Sequence, residues 1–144
     1  MQGHDAVLSA LGLADPQQRF EAYQNIINGM DAHQMKRIIA IGGMGVLMAD
    51  ENTRIAHTPT FPQQYKEVSE AHYKVYEALK NSGLDFTFVC PPNIIDGEKT
   101  GNYIVKHDYH PGKNSVSTED LADFMLNVIN DDTFFRTRIG ICNS

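Results

Sequence analysis

The sequence predicts an α/β fold built on a mainly parallel sheet. Short apolar runs without polar alternation read as strands covered on both faces. The stretches between them repeat apolar residues at helical spacing. The two patterns alternate along the chain, which is the order of βαβ units, with right-handed crossovers expected.

"DAVLSALG", residues 5–12, is an apolar run closed by glycine and reads as a buried strand. Asp15 before Pro16 supplies an N-cap with proline at N1. Phe20, Tyr23, Ile26, Ile27 and Met30 then recur as one helical face. Ile38–Ile41 is a second strand, rich in β-branched residues. Residues 44–63 read as irregular, closed by Pro59 and Pro62. Tyr65 to Asn81 is the longest helical pattern, with Val68, Ala71, His72, Val75 and Leu79 on one face and Gly83 placed as its C′ residue. "DFTFVC" is the third strand, stopped by Pro91 and Pro92. "NYIVKHDYH" reads as a less buried fourth. Ser117 or Thr118 caps a helix with acidic residues in its first turn and Leu121, Phe124, Met125 and Val128 as its apolar stripe. "RIGIC" is a final strand.

The 144 residues fit a single domain, 1–144, with 42% hydrophobic and 21% charged residues, the balance of an ordered globular protein. A formal net charge of −6 without any basic run argues against nucleic-acid or anionic-membrane partners. Cys90 and Cys142 each lie inside an apolar run, as free thiols do in a reducing compartment. No leader-like segment is visible, and no apolar run approaches the ~20 residues that span a bilayer. The expectation is a soluble, cytoplasmic protein.

"IAIGGMGV" raises the possibility of a phosphate-binding loop, since a strand runs into Gly42, Gly43 and Gly45. Such a loop needs a helix that starts at once, because the free N–H groups of that helix hold the phosphate. Here Met48 stands where the third glycine belongs, and "MADENTRIAHTPTFP" follows with charges and two prolines. The motif lacks its context and is rejected. "LG" at Leu11–Gly12, "GGMG" and "PPN" at Pro91–Asn93 all stand at strand ends, where ligands of open α/β sheets bind. Two readings stay open: three strand ends lining one crevice, or glycine and proline merely ending strands.

Four blocks together resemble a known family: "QGHDAVLSALG", "KRIIAIGGMGV", "YEALKNSGLDFTFVCPPNIIDGEKTGNYIV" and "VSTEDLADFMLNVI". In this order and spacing they are similar to the C-terminal two-thirds of an atypical short-chain dehydrogenase/reductase, of the NAD(P)H-binding, NmrA-like branch that includes flavin reductases of the biliverdin reductase B type. Members of that family begin with a strand and G-x-x-G-x-x-G, then two more strand–helix units, before the element G-x-D-A-V-x-x-x-x-G at which this sequence starts. The resemblance therefore implies the C-terminal portion of a three-layer Rossmann-type domain, a truncated member. Binding of NADP or NAD would be weakened or lost without the glycine-rich loop.

By the family pattern, Leu11 and Gly12 would lie on the adenosine and ribose side of the cofactor. Gly42 and Gly43 would replace a Thr/Ser pair lining the active site. His72 would touch the nicotinamide ribose, and Pro91, Pro92 and Asn93 would flank the nicotinamide. His72 and Asn93 are the implied catalytic positions; flavin reductase-like members carry His at the position of Asn93. The Tyr of the family's Y-x-x-x-K pair would fall on Val68, so that acid/base pair is missing. Tyr76-x-x-x-Lys80 comes two turns too late to replace it. Hydride transfer to a flavin or tetrapyrrole-like acceptor proceeds without a protein acid if solvent delivers the proton. Apart from this register, His72 also reads as a half-buried histidine packed on the sheet.

His107-x-x-His110 lacks a third ligand of recognisable spacing, so no metal site is expected. Cys90 in "FVCPP" reads as a buried apolar residue, and Ser9 and Ser115 lack a nucleophile-elbow context. Three functions fit: an NAD(P)H-dependent reductase of flavin-reductase type or a remnant of one, a non-enzymatic NmrA-like dinucleotide-sensing or interaction protein, or a folded fragment without ligand. An uncovered edge on the strand at 5–12 would favour self-association.

Overall fold

A computed structural model describes residues 3–144; Gln2 of the first family block lies outside the described residues. The elements run β1 (Ala6–Ser9), α1 (Pro16–Ala32), β2 (Arg37–Ile41), α2 (Lys66–Asn81), β3 (Asp85–Cys90), β4 (Asn93–Ile95), β5 (Tyr103–His107), β6 (Ser115–Ser117), α3 (Thr118–Asn127) and β7 (Thr137–Asn143). The main sheet has the order β1-β2-β3-β7-β5, parallel throughout except for β5 against β7. Among the described helices, none is long and apolar enough to cross a membrane.

Alternation along β2 and β3 splits the interior into two cores and makes three layers. Ile38, Ala40, Phe86 and Phe88 face α1 and α2, packing with Tyr23, Met30, Val75 and Leu79. Ile39, Val89, Ile139 and Ile141 face α3, packing with Leu121, Phe124 and Met125. Full burial of both faces explains why these strands read as unbroken apolar runs.

The helix starts follow from their caps. Asp15 Oδ1 accepts from the backbone N–H groups of Gln17 (2.8 Å) and Gln18 (3.2 Å), with Pro16 as the first helical residue. Ser117 Oγ accepts from the N–H of Asp120 at 3.1 Å and opens α3.

Several local expectations are corrected. The first strand stops at Ser9, and Leu11 and Gly12 lie in the connection to α1. Gly83 does not take the left-handed C′ conformation. Instead Ser82 ends α2, its hydroxyl donating to the Leu79 carbonyl (2.5 Å) and accepting from the Leu84 N–H (3.2 Å). Residues 44–65 hold three single 3-10 turns rather than irregular chain alone. β4 and β6 form a separate two-stranded parallel sheet that the sequence reading lacks, because two strands of three residues each are too short to carry a periodic signal. β1 pairs with β2 alone among the described strands, and Leu8 is 41% exposed on it.

Candidate functional site

A cavity of about 320 Å³ opens beyond the carboxyl ends of β2 and β3, against the first two turns of α2. Gly43, His72, Pro91, Pro92 and Asn93 all line it, so five of the eight expected site residues come together. The other three do not line it. Gly42 is tied into the sheet instead: its N–H donates to the Val89 carbonyl at 2.7 Å, and a Cβ there would collide with the Phe88 ring. Leu11 packs on the core shared by α1 and α2, and Gly12 is exposed with open space around its Cα.

Each glycine after β2 answers a different neighbour. A Cβ on Gly43 would lie 2.7 Å from His72 Nδ1, so only glycine leaves the imidazole in place. A Cβ on Gly45 would strike Ser69 Oγ. After Gly43 the chain makes one 3-10 turn, Met44–Val46, and no α-helix follows until Lys66. The geometry of a phosphate loop is therefore absent from this connection.

His72 is half-buried, and its Nε2 lies 2.8 Å from Nη1 of Arg19 on α1. Burial, and after it the Arg19 charge, lower its pKa from 6.5 to about 4, so the ring is neutral near pH 7. Ser69 stands three residues earlier on the same helix face, its hydroxyl buried without a hydrogen-bond partner among the described residues. Val68 also lines the cavity. Phe61, Pro62 and Tyr65 come from the connection ahead of α2 and form the opposite wall. Asn114 enters because β4 pairs with β6: the Asn93 N–H donates to its carbonyl at 3.1 Å.

Sequence reasoning missed Ser69, Arg19 and Asn114. The i, i+3 spacing to His72 is a signal for Ser69. Arg19 lies 53 residues from His72 and Asn114 lies in a loop, so neither has a local signal.

The depressed His72 basicity has a consequence for stability. Its folded pKa lies below the unfolded value, so the unfolded chain takes up a proton first as pH falls. The associated stability is fully present above pH 6.5 and is lost as pH falls toward about 4. A shift of this size amounts to at most about 3 kcal/mol, reduced by the partial exposure of the ring. Urea unfolding at pH 7 and pH 4.5 is expected to show a larger acid loss for the wild type than for His72→Gln.

Burial pushes the Cys90 thiol well above its usual range, and both cysteines are free and buried. His107 stacks on Phe134 with ring centroids 5.3 Å apart, while both ring nitrogens of His110 are buried without a hydrogen-bond partner. Among the described residues no three His, Cys, Asp or Glu side chains converge to hold a metal.

A family model for NAD(P)H-binding proteins matches residues 1–132. The chain belongs to the NAD(P)H-binding family. Among solved structures, this NAD(P)H-binding chain is similar to a Streptococcus pneumoniae TIGR4 protein assigned as an NADH-flavin reductase: 29% identity and a TM-score of 0.86, over 99% of this chain and 73% of that one. It is similar also to a Burkholderia pseudomallei protein assigned as exported, at 28% identity and a TM-score of 0.87, over 97% of this chain and 72% of that one. A Rossmann-fold NAD(P)-binding family protein from Shigella flexneri shares the fold at 22% identity and a TM-score of 0.72, over 99% of this chain and 61% of that one.

The cavity's volume is at the low end of the ~300–1,000 Å³ of small-molecule pockets, room for part of a dinucleotide. No Asp, Glu, Lys or Arg is among the residues that line it. Apolar walls from Val68, Phe61, Pro91 and Pro92 suit a flat ring, and His72, Ser69, Asn93 and Asn114 supply a few polar atoms. That donor set offers no cation to a pyrophosphate.

Proposed function

We propose that this cavity holds the nicotinamide end of NAD(P)H, and that the protein is an NAD(P)H-dependent oxidoreductase of flavin-reductase type. The observation that carries the reading is the convergence of Gly43, His72, Pro91, Pro92 and Asn93 on one uncharged cavity at the ends of β2 and β3. The likeness to the S. pneumoniae protein supports a flavin as acceptor. NAD(P)H supplies the hydride when bound.

The chain's own residues bind, orient and exclude water. Pro91, Pro92 and Val68 present apolar surface to a ring. Uncharged walls hold a neutral, reduced ring better than a cationic one, so the reduced cofactor binds in preference to the oxidised one. His72 is neutral at pH 7 and serves as a hydrogen-bonding group rather than an acid. No Tyr–Lys pair stands at the cavity in the family's positions, since Val68 and His72 occupy them, so solvent delivers the proton to the reduced acceptor. The domain, residues 1–144, acts in this reading as the C-terminal portion of a Rossmann-type unit. The cavity alone makes few polar contacts, so we expect weak binding, near the millimolar end.

The test is to titrate NADPH and NADH, follow fluorescence and thermal shift, and then assay flavin reduction. Binding with turnover supports the reading. Binding without turnover favours a dinucleotide-sensing protein, the second reading, which the apolar Val68 at the family's Tyr position supports. No binding near millimolar sinks both.

Gly43→Val should separate the cavity from the fold. Its side chain would displace His72 and fill the floor. Affinity for NAD(P)H is expected to fall at least about tenfold, the loss of roughly one good contact. A far-UV spectrum like that of the wild type, measured beside the titration, checks that the fold persists.

A further inference from the structure

We propose that Arg19 is a positioning residue: it sets the His72 ring in one tautomer, with the proton on Nδ1, on the side of Gly43. The role played by this donor rests on the reading above, but the tautomer is a property of the chain by itself.

Arg19 lies in the first turn of α1, just after the Asp15–Pro16 cap. Its Nη2 donates to the Leu13 carbonyl at 2.5 Å, which ties the guanidinium to the β1–α1 connection. Its Nη1 lies 2.8 Å from His72 Nε2. A guanidinium has five N–H donors and no acceptor, and it stays protonated in proteins. The contact is therefore a hydrogen bond only if Nε2 offers its lone pair. A neutral imidazole has one proton to place, so that proton sits on Nδ1. Nδ1 is the ring nitrogen beside residue 43, at 2.7 Å from where a Cβ there would be. Glycine at this position leaves the donor unobstructed.

Charge enforces the same state. Among the described ion pairs none includes Arg19, so its positive charge is not neutralised by a carboxylate. A second positive charge on the adjoining ring is disfavoured. The residues that line the cavity with His72 bring no compensating charge: Gly43, Met44 and Gly45 come from the connection after β2, Pro91 and Pro92 from the end of β3, and Val68 and Ser69 from α2 itself. Cys90, at the end of β3, is a buried and protonated thiol.

The consequence is selective. An Nδ1–H donor reads an acceptor oxygen, such as a ribose hydroxyl or a carboxamide carbonyl, and does not accept from a donor placed there. Arg19 thus acts on the ligand through His72 and need not touch it.

The test uses the full chain labelled with 15N-histidine. Long-range 1H–15N correlation near pH 7 reads the two ring nitrogens of His72 directly. The expected result is a protonated, pyrrole-like Nδ1 and an unprotonated, pyridine-like Nε2. In Arg19→Met the ring should move toward the Nε2–H tautomer usual for free histidine, its titration should shift toward 6.5, and NADPH affinity should drop about tenfold. Arg19→Lys keeps a cationic donor and should retain the Nδ1–H form at least in part, which also covers the case of a poorly folded Met variant. An Nε2–H tautomer in the wild type, or ring shifts unchanged by Arg19→Met, would overturn the proposal. If NADPH fails to bind while the tautomer is as expected, the cofactor reading falls and the positioning role of Arg19 stands.

Discussion

Asp120→Ala is expected to cost about 3–5 kcal/mol, a large share of the ~5–15 kcal/mol typical of a domain. Asp120 is buried, and none of the described ion pairs includes it. It is held by five donors: the Thr100 N–H (2.9 Å) and hydroxyl (2.7 Å), the Gly101 N–H (2.9 Å), the Ser117 hydroxyl (2.9 Å) and the Asn143 amide (2.6 Å). Burial acts to raise its pKa, but the hydrogen bonds from Thr100, Gly101, Asn143 and Ser117 outweigh it and hold Asp120 well below the usual carboxylate range. Its stability is present above pH 3.8 and is lost only as pH falls through the lower folded value. Alanine removes the shared acceptor of all five, leaving the Ser117 hydroxyl and the Asn143 amide only their second acceptors, the carbonyls of Glu98 (3.1 Å) and Asn102 (3.2 Å). Asparagine restores little, because one oxygen becomes an NH₂ group that faces donors. The carboxylate joins α3 to the segment running from β4 into β5, and β4 begins at Asn93 in the cavity wall. Equilibrium urea unfolding measures the effect; a loss under about 1 kcal/mol would contradict this account of the network.

Arg37→Met should cost about 3 kcal/mol and leave the cavity intact. The Arg37 side chain is buried at the amino end of β2, the end away from the cavity. Its guanidinium donates to the carbonyls of Ile129 (2.6 Å), Val128 (2.7 Å) and Asp85 (3.0 Å), and lies 4.5 Å from the centre of the Phe135 ring. Val128 and Ile129 follow directly on α3, where helix carbonyls lack intrahelical partners. Burial lowers the guanidinium pKa, and the charges of Asp85 and Asp131 work against that shift. Methionine replaces the apolar stem but leaves three carbonyls without their donor. The urea midpoint should fall while NAD(P)H affinity, measured below the transition, stays within about twofold of wild type. A parallel loss of affinity would mean that the sheet transmits the change to the cavity.

The two central strands were legible because both their faces are buried, so β2 and β3 carry no polar alternation. Asp15–Pro16 and Ser117 were legible because capping is a local interaction. β4 and β6 were not, since a three-residue strand is too short to leave a period to detect. Gly83 misled because Ser82 caps α2 with its own hydroxyl. At the site, residues adjacent in sequence to strand ends were the readable ones: Gly43, Pro91, Pro92 and Asn93. The run of glycines suggested one shared task, yet each clears a different side chain: Phe88 at Gly42, His72 at Gly43 and Ser69 at Gly45. Arg19 was invisible because its meaning lies in a contact across 53 residues.

The most direct test of the central claim is amide chemical-shift mapping of the 15N-labelled chain titrated with NADPH and with NADH. The claim predicts saturable shifts at Gly43, Gly45, Val68, Ser69, His72 and Asn93, around one cavity. Shifts confined to residues distant from that cavity, or none near millimolar cofactor, would contradict it.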